Sequence, residues 1–414
     1  MEASETLLRA ALARRLNPLS RRPLALAVSG GGDSAALLHM MARWAADAGR
    51  PLVVLTVDHR LQGASEAWSR HVHEQSAALG LPCRTLVWTG LKPAAGLPAA
   101  ARQARHALLA EAAREVGAAV VLLGHTADDV MEGERMRAEV STLGALREWA
   151  PSPAWPEGRG VFLLRPLLGT SRADLRVWLS GERIGWIEDP ANADPRFARS
   201  RIRAELTARD GYARRTADLP VNAEPRQPCS APASYTVSVD GRIRLPRAEL
   251  GDRILARGVA CAAGGLGRLR RDRVAALAAR LREQGAVTAT LGGARVVAIE
   301  EHVEIGREPG EIIRGGLHRL PLPVNTSVVW DGRFELRPAK PGLCAAPLRG
   351  AAARLPPDQR RALKTLPAWS RGALPAILDG EAVTCPLLGS SPVSARSLVA
   401  DRFAAALGLV LREP

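Results

Sequence analysis

Short apolar runs alternate along the first half of the chain with longer stretches in which apolar residues recur every three or four positions. Such alternation predicts strands between helices. Leu24–Val28 enters Ser29-Gly30-Gly31-Gly32-Asp33-Ser34, and in the following Ala35–Ala48 the residues Leu38, Met41, Ala45 and Ala48 keep helical spacing, so this reads as strand, glycine-rich turn, helix. Leu52–Val57 reads as a second buried strand ending at Asp58-His59, Ser65–Leu79 as a helix, Thr85–Trp88 as a third strand and Pro98–Val116 as a long Ala/Arg helix. Val120–Leu123 is a fourth strand, ending at Gly124-His125. The pattern predicts an α/β domain built on a doubly wound parallel sheet, whose ligand site lies beyond the carboxyl ends of the strands. Three polar clusters, Ser29–Ser34, Asp58-His59 and His125–Asp129, fall at those ends.

Further on, Glu132 to Trp149 is charged and reads as helical, Pro151–Gly160 is a Pro-rich loop, and the apolar run Phe162–Leu168 follows. Ser171–Ile184 opens with Ser171 and Asp174 at capping-box spacing, and Glu188–Asn192 leads to four arginines between Arg196 and Arg203. Residues 210–235 collect Pro, Asn, Ser and charges without periodicity, which places a linker at 216–235 between a first domain, 1–215, and a smaller α+β domain, 236–414. In the second domain Arg268–Arg282 reads as an arginine-rich helix, Ala294–Ile299, Val303–Ile305 and Ser327–Leu336 as β-like runs, and Ser397–Leu407 as a closing helix.

Charge adds a partner. The net charge is +15, and all but three of the 57 basic residues are arginine, the side chain that forks onto phosphate. A polyanionic partner is expected, although a GC-rich codon bias produces the same excess. The five cysteines are scattered, with no spacing that suits zinc, and no apolar stretch has the length of a membrane span. A cytoplasmic protein without membrane association or evident protein partner is expected.

The glycine turn carries the chemistry. Successive backbone N–H groups at a helix N-terminus bind an anion, and Gly30, Gly31 and Gly32 let phosphate come close. Ser29 and Ser34 add hydroxyls, and Asp33 can hold a magnesium ion between phosphate oxygens. The chain has no GxxxxGK[ST] and no GxGxxG, so neither of those nucleotide loops is present.

Ser29–Ser34 resembles the SGGxDS signature of the PP-loop ATP pyrophosphatases. Together with Val57-Asp58-His59-Arg60-Leu61, Ala101-Arg102-Gln103-Ala104-Arg105, Gly124–Asp129 with Glu132, Arg165–Leu168, and Glu188–Asn192 leading to Arg199 and Arg203, it is similar to the tRNA(Ile)-lysidine synthetase family over roughly residues 22–205. The resemblance implies that ATP adenylates the wobble cytidine of an isoleucine tRNA and that the amine of free L-lysine then displaces AMP. It implies Asp33, His125, Asp129, Glu132 and Arg105 as catalytic, and Ser29 to Ser34 with Asp58 and His59 as the ATP site. Arg102, Arg199 and Arg203 are implied as contacts to tRNA or phosphate, with Mg2+ on Asp33. Asp129 and Glu132, three apart on a helical turn, share a face suited to an ammonium group. The chain departs from the family at Val130, Gly133 and His106, and Val140–Leu143 stands where the family carries an Arg-Gly-Ser-Gly loop. A diverged paralogue that binds tRNA with little catalysis is the alternative.

Overall fold

The computed structural model describes residues 2–138, 145–189, 198–207, 232–265, 269–283, 285–317 and 319–414. The chain forms two compact units, one running to residue 226 and including Val410–Pro414, the other spanning residues 227 to 409.

The first unit is built on a six-stranded sheet in the order β3-β2-β1-β4-β6-β5. Its strands are β1 (Leu24–Ala27), β2 (Leu52–Asp58), β3 (Cys83–Val87), β4 (Val120–Leu123), β5 (Trp149–Pro151) and β6 (Phe162–Leu164). All neighbouring pairs are parallel except β5 with β6, which closes the edge antiparallel. Parallel strands covered by helices on both faces are buried throughout, hence the uninterrupted apolar runs of β1 and β4. Helices α1 (Glu2–Arg15), α2 (Gly32–Ala48) and α6 (Arg172–Gly181) supply one core, through Leu8, Leu12, Leu37, Leu38, Met41, Leu175 and Trp178 against Leu24, Leu26 and Val54. Helix α4 (Leu97–Glu115) covers the other face with Leu109, Ala112 and Ala113 against Ala25, Leu55 and Val121. Helices α3 (Ser65–Ala78), α5 (Ala127–Ala138) and α7 (Ala198–Thr207) complete the described part. The sheet winds one way from β1 through β2 to β3, then restarts on the other side of β1 with β4. The switch point between β1 and β4 is where an open α/β sheet leaves its crevice.

The doubly wound sheet therefore stands, with corrections at the edges. The run Phe162–Leu168 is a strand only as far as Leu164, because Pro166 cannot donate to the ladder. Trp149, expected at the end of a helix, lies in β5 and stacks on Phe162 with ring centroids 4.9 Å apart. The closing residues Val410–Pro414, expected in the second domain, pack in the first: the Val410 carbonyl accepts from Trp149 Nε1 at 2.7 Å, and the buried Glu413 carboxylate binds Arg50 and the Ser20 hydroxyl. Val140–Leu143, Pro190–Phe197, Arg268 and most of the expected linker lie outside the described residues.

In the second unit a five-stranded antiparallel sheet includes Ala294–Ile299 and His302–Arg307 and packs on helices α8 (Asp252–Ala262) and α9 (Arg271–Glu283). Two smaller sheets follow, of four and three strands. The run Ser327–Leu336 is a hairpin, Val328–Trp330 with Phe334–Pro338, turned at Asp331-Gly332 with both φ angles positive.

Candidate active site

β1 ends at Ala27, and the chain turns through Ser29–Gly31 into α2. Gly30 has φ of 86°, and a Cβ there would come within 2.6 Å of Ile187 Cδ1. The Ile187 N–H donates to the Gly30 carbonyl at 2.9 Å, so the segment after α6 clamps the loop. Gly31 caps α2 through an extended backbone, leaving the first N–H groups of the helix directed at the crevice. The Ser34 hydroxyl turns inward, donating to the Gly31 carbonyl at 2.9 Å and accepting from Ser29 N–H at 3.1 Å. It braces the loop rather than offering a donor to a ligand. Gly124, at the end of β4, packs backbone on backbone: a Cβ there would sit 2.9 Å from the Asp33 carbonyl oxygen.

A cavity of about 530 Å³ opens at this edge. Of the residues expected from the sequence, Ser29, Gly31, Gly32, Asp33, Ser34, His59, Arg105, His125, Asp129 and Arg203 line it. Asp58 lines a neighbouring cavity, and its carboxylate accepts from the Arg60 N–H at 2.7 Å to hold the turn after β2. Arg102 and Glu132 stand outside the lining, and the side chain of Arg199 is outside the described structure.

Asp129 and Glu132 share the inner face of α5, as their spacing predicts, but each has work in the fold. Asp129 Oδ2 accepts from the Thr126 N–H at 2.8 Å and from the Thr126 hydroxyl at 3.3 Å, tying down the start of α5. Asp128 Oδ2 accepts from the Arg172 N–H at 2.7 Å and so caps α6. Glu132 is fully buried: Arg203 grips it at 2.8 and 3.3 Å, and Arg172 Nη1 reaches Oε1 at 3.2 Å. Arg203, expected on tRNA or ATP phosphate, is thus paired with an acid here.

Two residues that the sequence reading passed over organise the site. Arg172 places its guanidinium among Asp33 (3.2 Å), Glu132 (3.2 Å), Asp129 (3.6 Å) and Asp128 (4.0 Å). Burial alone would lower its pKa, but those four carboxylates outweigh it and hold the charge more firmly than usual. Arg176, one turn along α6, lies over Gly32, stacks 4.7 Å from the Trp186 ring and pairs with Glu188. Its Nε is buried without a hydrogen-bond partner. Asp33 itself is shifted up by burial, against the pull of Arg172, and its Oδ1 is buried with no partner.

Behind the cavity the charges are positive. Burial, then Arg105, lowers the His59 pKa. Burial followed by Arg105, Arg102, Arg165 and His125 drives His106 down to about 3. Arg165, buried beside Arg102 and Arg105, falls to about 10, and its Nε reaches His125 Nδ1 at 3.3 Å. The edge therefore holds an anion cradle flanked by a cationic wall and an acidic cage.

The PP-loop domain family matches residues 4–209. The tRNA(Ile)-lysidine synthase of Caulobacter vibrioides is 47% identical over 98% of this chain and 98% of its own length. The chain belongs to the tRNA(Ile)-lysidine synthase family. Other tRNA(Ile)-lysidine synthases agree, from Mesorhizobium japonicum (37% identical, 79% of this chain and 76% of theirs) and Ruegeria pomeroyi (36%, 89% of each). The glycine cradle lies within the matched PP-loop domain, with the geometry of an anion site. Asp33 lines the same cavity as the loop, and its buried, unpartnered Oδ1 suits a hard divalent cation, which takes oxygen ligands of this kind. Among the described residues no helix is long and apolar enough to cross a membrane, and no group of three or more His, Cys, Asp and Glu is arranged to hold a metal by itself. Asp33 alone fits the usual way magnesium is held, by one or two carboxylates together with substrate phosphates.

Proposed function

We propose that this chain ligates L-lysine to the wobble cytidine of an isoleucine tRNA, consuming ATP and releasing AMP and pyrophosphate. The cytidine carbonyl oxygen attacks the α-phosphorus and pyrophosphate departs; the lysine side-chain amine then attacks the activated ring carbon and AMP departs. The α2 N-terminus and the loop N–H groups hold the pyrophosphate portion, and Asp33 holds Mg2+, which would neutralise charge on the phosphates. Arg105 and His125 face the departing phosphates from the cationic wall. Asp129, which lines the cavity, receives the lysine ammonium, while Glu132 keeps the arginines in register beneath it.

The observation that carries this reading is the convergence of Asp33, Asp129, His125 and Arg105 on one cavity beside the loop. Four of the five catalytic candidates gathered on one cavity favour an enzyme over a binding-only relative. We place the catalytic domain at 1–215 and assign the unit beyond the 216–235 linker to the tRNA body, where Arg271, Arg273 and Arg280 on α9 are exposed. Action in the cytoplasm follows from the substrate. The test is lysine-dependent release of AMP and pyrophosphate with an isoleucine tRNA bearing a CAU anticodon. Release that depends on both lysine and that tRNA supports the proposal; retention of the tRNA without turnover overturns it.

A further inference from the structure

Arg172 stands at the first position of α6, a place where a positive side chain is disfavoured by the helix dipole. It stays because the acids of α5 and the loop surround it. One end of its fork meets Asp33, the nucleotide-side acid, and the other meets Asp129 and Glu132, the acids of the cage. With Arg203 also on Glu132, the pocket that would take a substrate ammonium already contains protein cations. An ammonium and this guanidinium compete for the same oxygens, while the phosphates of a nucleotide in the loop compete with the carboxylates for the guanidinium.

We propose that Arg172 is a positioning residue that couples the two substrates: it occupies the cage until a nucleotide sits in the loop, then swings onto the phosphates and opens Asp129 to the lysine ammonium. Guanidinium makes a bidentate bridge to phosphate oxygens at least as well as to carboxylates, so its own donors stay satisfied in the exchange. No proton or bond changes hands in this step. The order of loading follows: nucleotide first, lysine second. The free enzyme is then screened from lysine and from other small cations, which a bare cluster of four carboxylates would attract.

The inference rests on the lysidine-synthase reading of the site and is tested by binding, without turnover. Lysine affinity is measured by calorimetry with the full chain, in the absence and presence of Mg·AMPCPP, for the wild type, Arg172→Gln and Arg172→Lys. Melting curves check that each variant is folded. The backbone N–H of residue 172 still meets Asp128 in both variants, which favours folding. In the wild type the analogue is expected to tighten lysine about fivefold or more, the range of ordinary site-to-site coupling. In both variants the coupling should fall to about twofold or less, because glutamine removes the charge and the lysine ammonium, a point charge, cannot span both ends of the cage. In Arg172→Gln, lysine alone should bind more tightly than it does to the wild type alone. Coupling that survives in Arg172→Lys at full strength, or wild-type sites that bind independently, overturns the role of Arg172 while leaving the function reading intact. A wild type that binds Mg·AMPCPP but no lysine in either state overturns both.

Discussion

At the loop Gly30–Ser34, position is set by backbone packing: a Cβ at Gly30 would strike Ile187, a Cβ at Gly124 would strike the Asp33 carbonyl, and Ser34 ties back to Gly31. A few ångströms away in the cage, position is set by charge: Arg172 lies among four acids, and Glu132 is fully buried under two guanidinium groups. A cradle for phosphate can be rigid because all phosphate chains present the same oxygens. A site that must admit and release a cation is better built from ion pairs that can be exchanged. The loop should therefore answer to steric change and the cage to charge change, and the two should fail differently.

The largest effect is expected where the two meet. Asp33→Asn removes the charge at the orphaned oxygen and one end of the Arg172 bridge without altering volume. Adenylation should fall on the order of 10³-fold, since a lost metal interaction is worth several kcal/mol of transition-state stabilisation. Pyrophosphate release checks it, with an unchanged melting temperature as control. Near-normal turnover would count against the loop reading.

Glu132→Gln tests the cage alone. It leaves two part-buried guanidinium groups facing a neutral amide, and breaking a buried pair from one side costs about 3 kcal/mol. Chemical denaturation should show that loss of stability, whereas Asp33→Asn should show little. Gly124→Ala tests the loop alone. The added methyl must push the Asp33–Ser34 backbone outward, and a misplacement approaching 1 Å costs roughly 10²-fold in kcat/KM. If instead Gly124→Ala leaves ATP use unchanged while Glu132→Gln leaves stability unchanged, the contrast between the regions is wrong.

The loop was legible in the sequence because its shape can be made only by particular residues at fixed places, so Ser29–Ser34 after an apolar run announces both structure and ligand. Asp129 and Glu132 were legible through helical spacing, but spacing did not reveal that Asp128 caps α6 or that Arg203 holds Glu132. Those partners come from helices 40 to 75 residues apart and meet only through the sheet order. Arg172 and Arg176 left one faint signal. The Ser171 cap puts Arg172 in the first turn of a helix, where a positive charge is unfavourable unless acids wait nearby, and Arg176 follows one turn later on the same face. The second unit was least legible because its short strands pair across long separations, and the Asp331-Gly332 turn hid inside what reads as one run.

The smallest expected effect concerns the cationic wall, where neither steric fit nor ion exchange governs. His106 is buried with both ring nitrogens lacking partners, and it faces Arg105, Arg102, Arg165 and His125. Its pKa falls from 6.5 to about 3, so the folded protein keeps the ring neutral. An unfolded chain takes up the proton near the ordinary value. Stability from this group is thus fully present above pH 6.5 and is lost progressively as the pH drops from there towards 3, since only the unfolded state gains a proton across that window. Between pH 7 and pH 5 the loss from this residue should be roughly 2 kcal/mol. His106→Phe removes the titration and retains a ring, so urea midpoints at the two pH values should lie closer together in the variant than in the wild type. Equal pH sensitivity in both would mean that the ring already carries a proton partner in the folded state, and that the wall is balanced by acids rather than by burial.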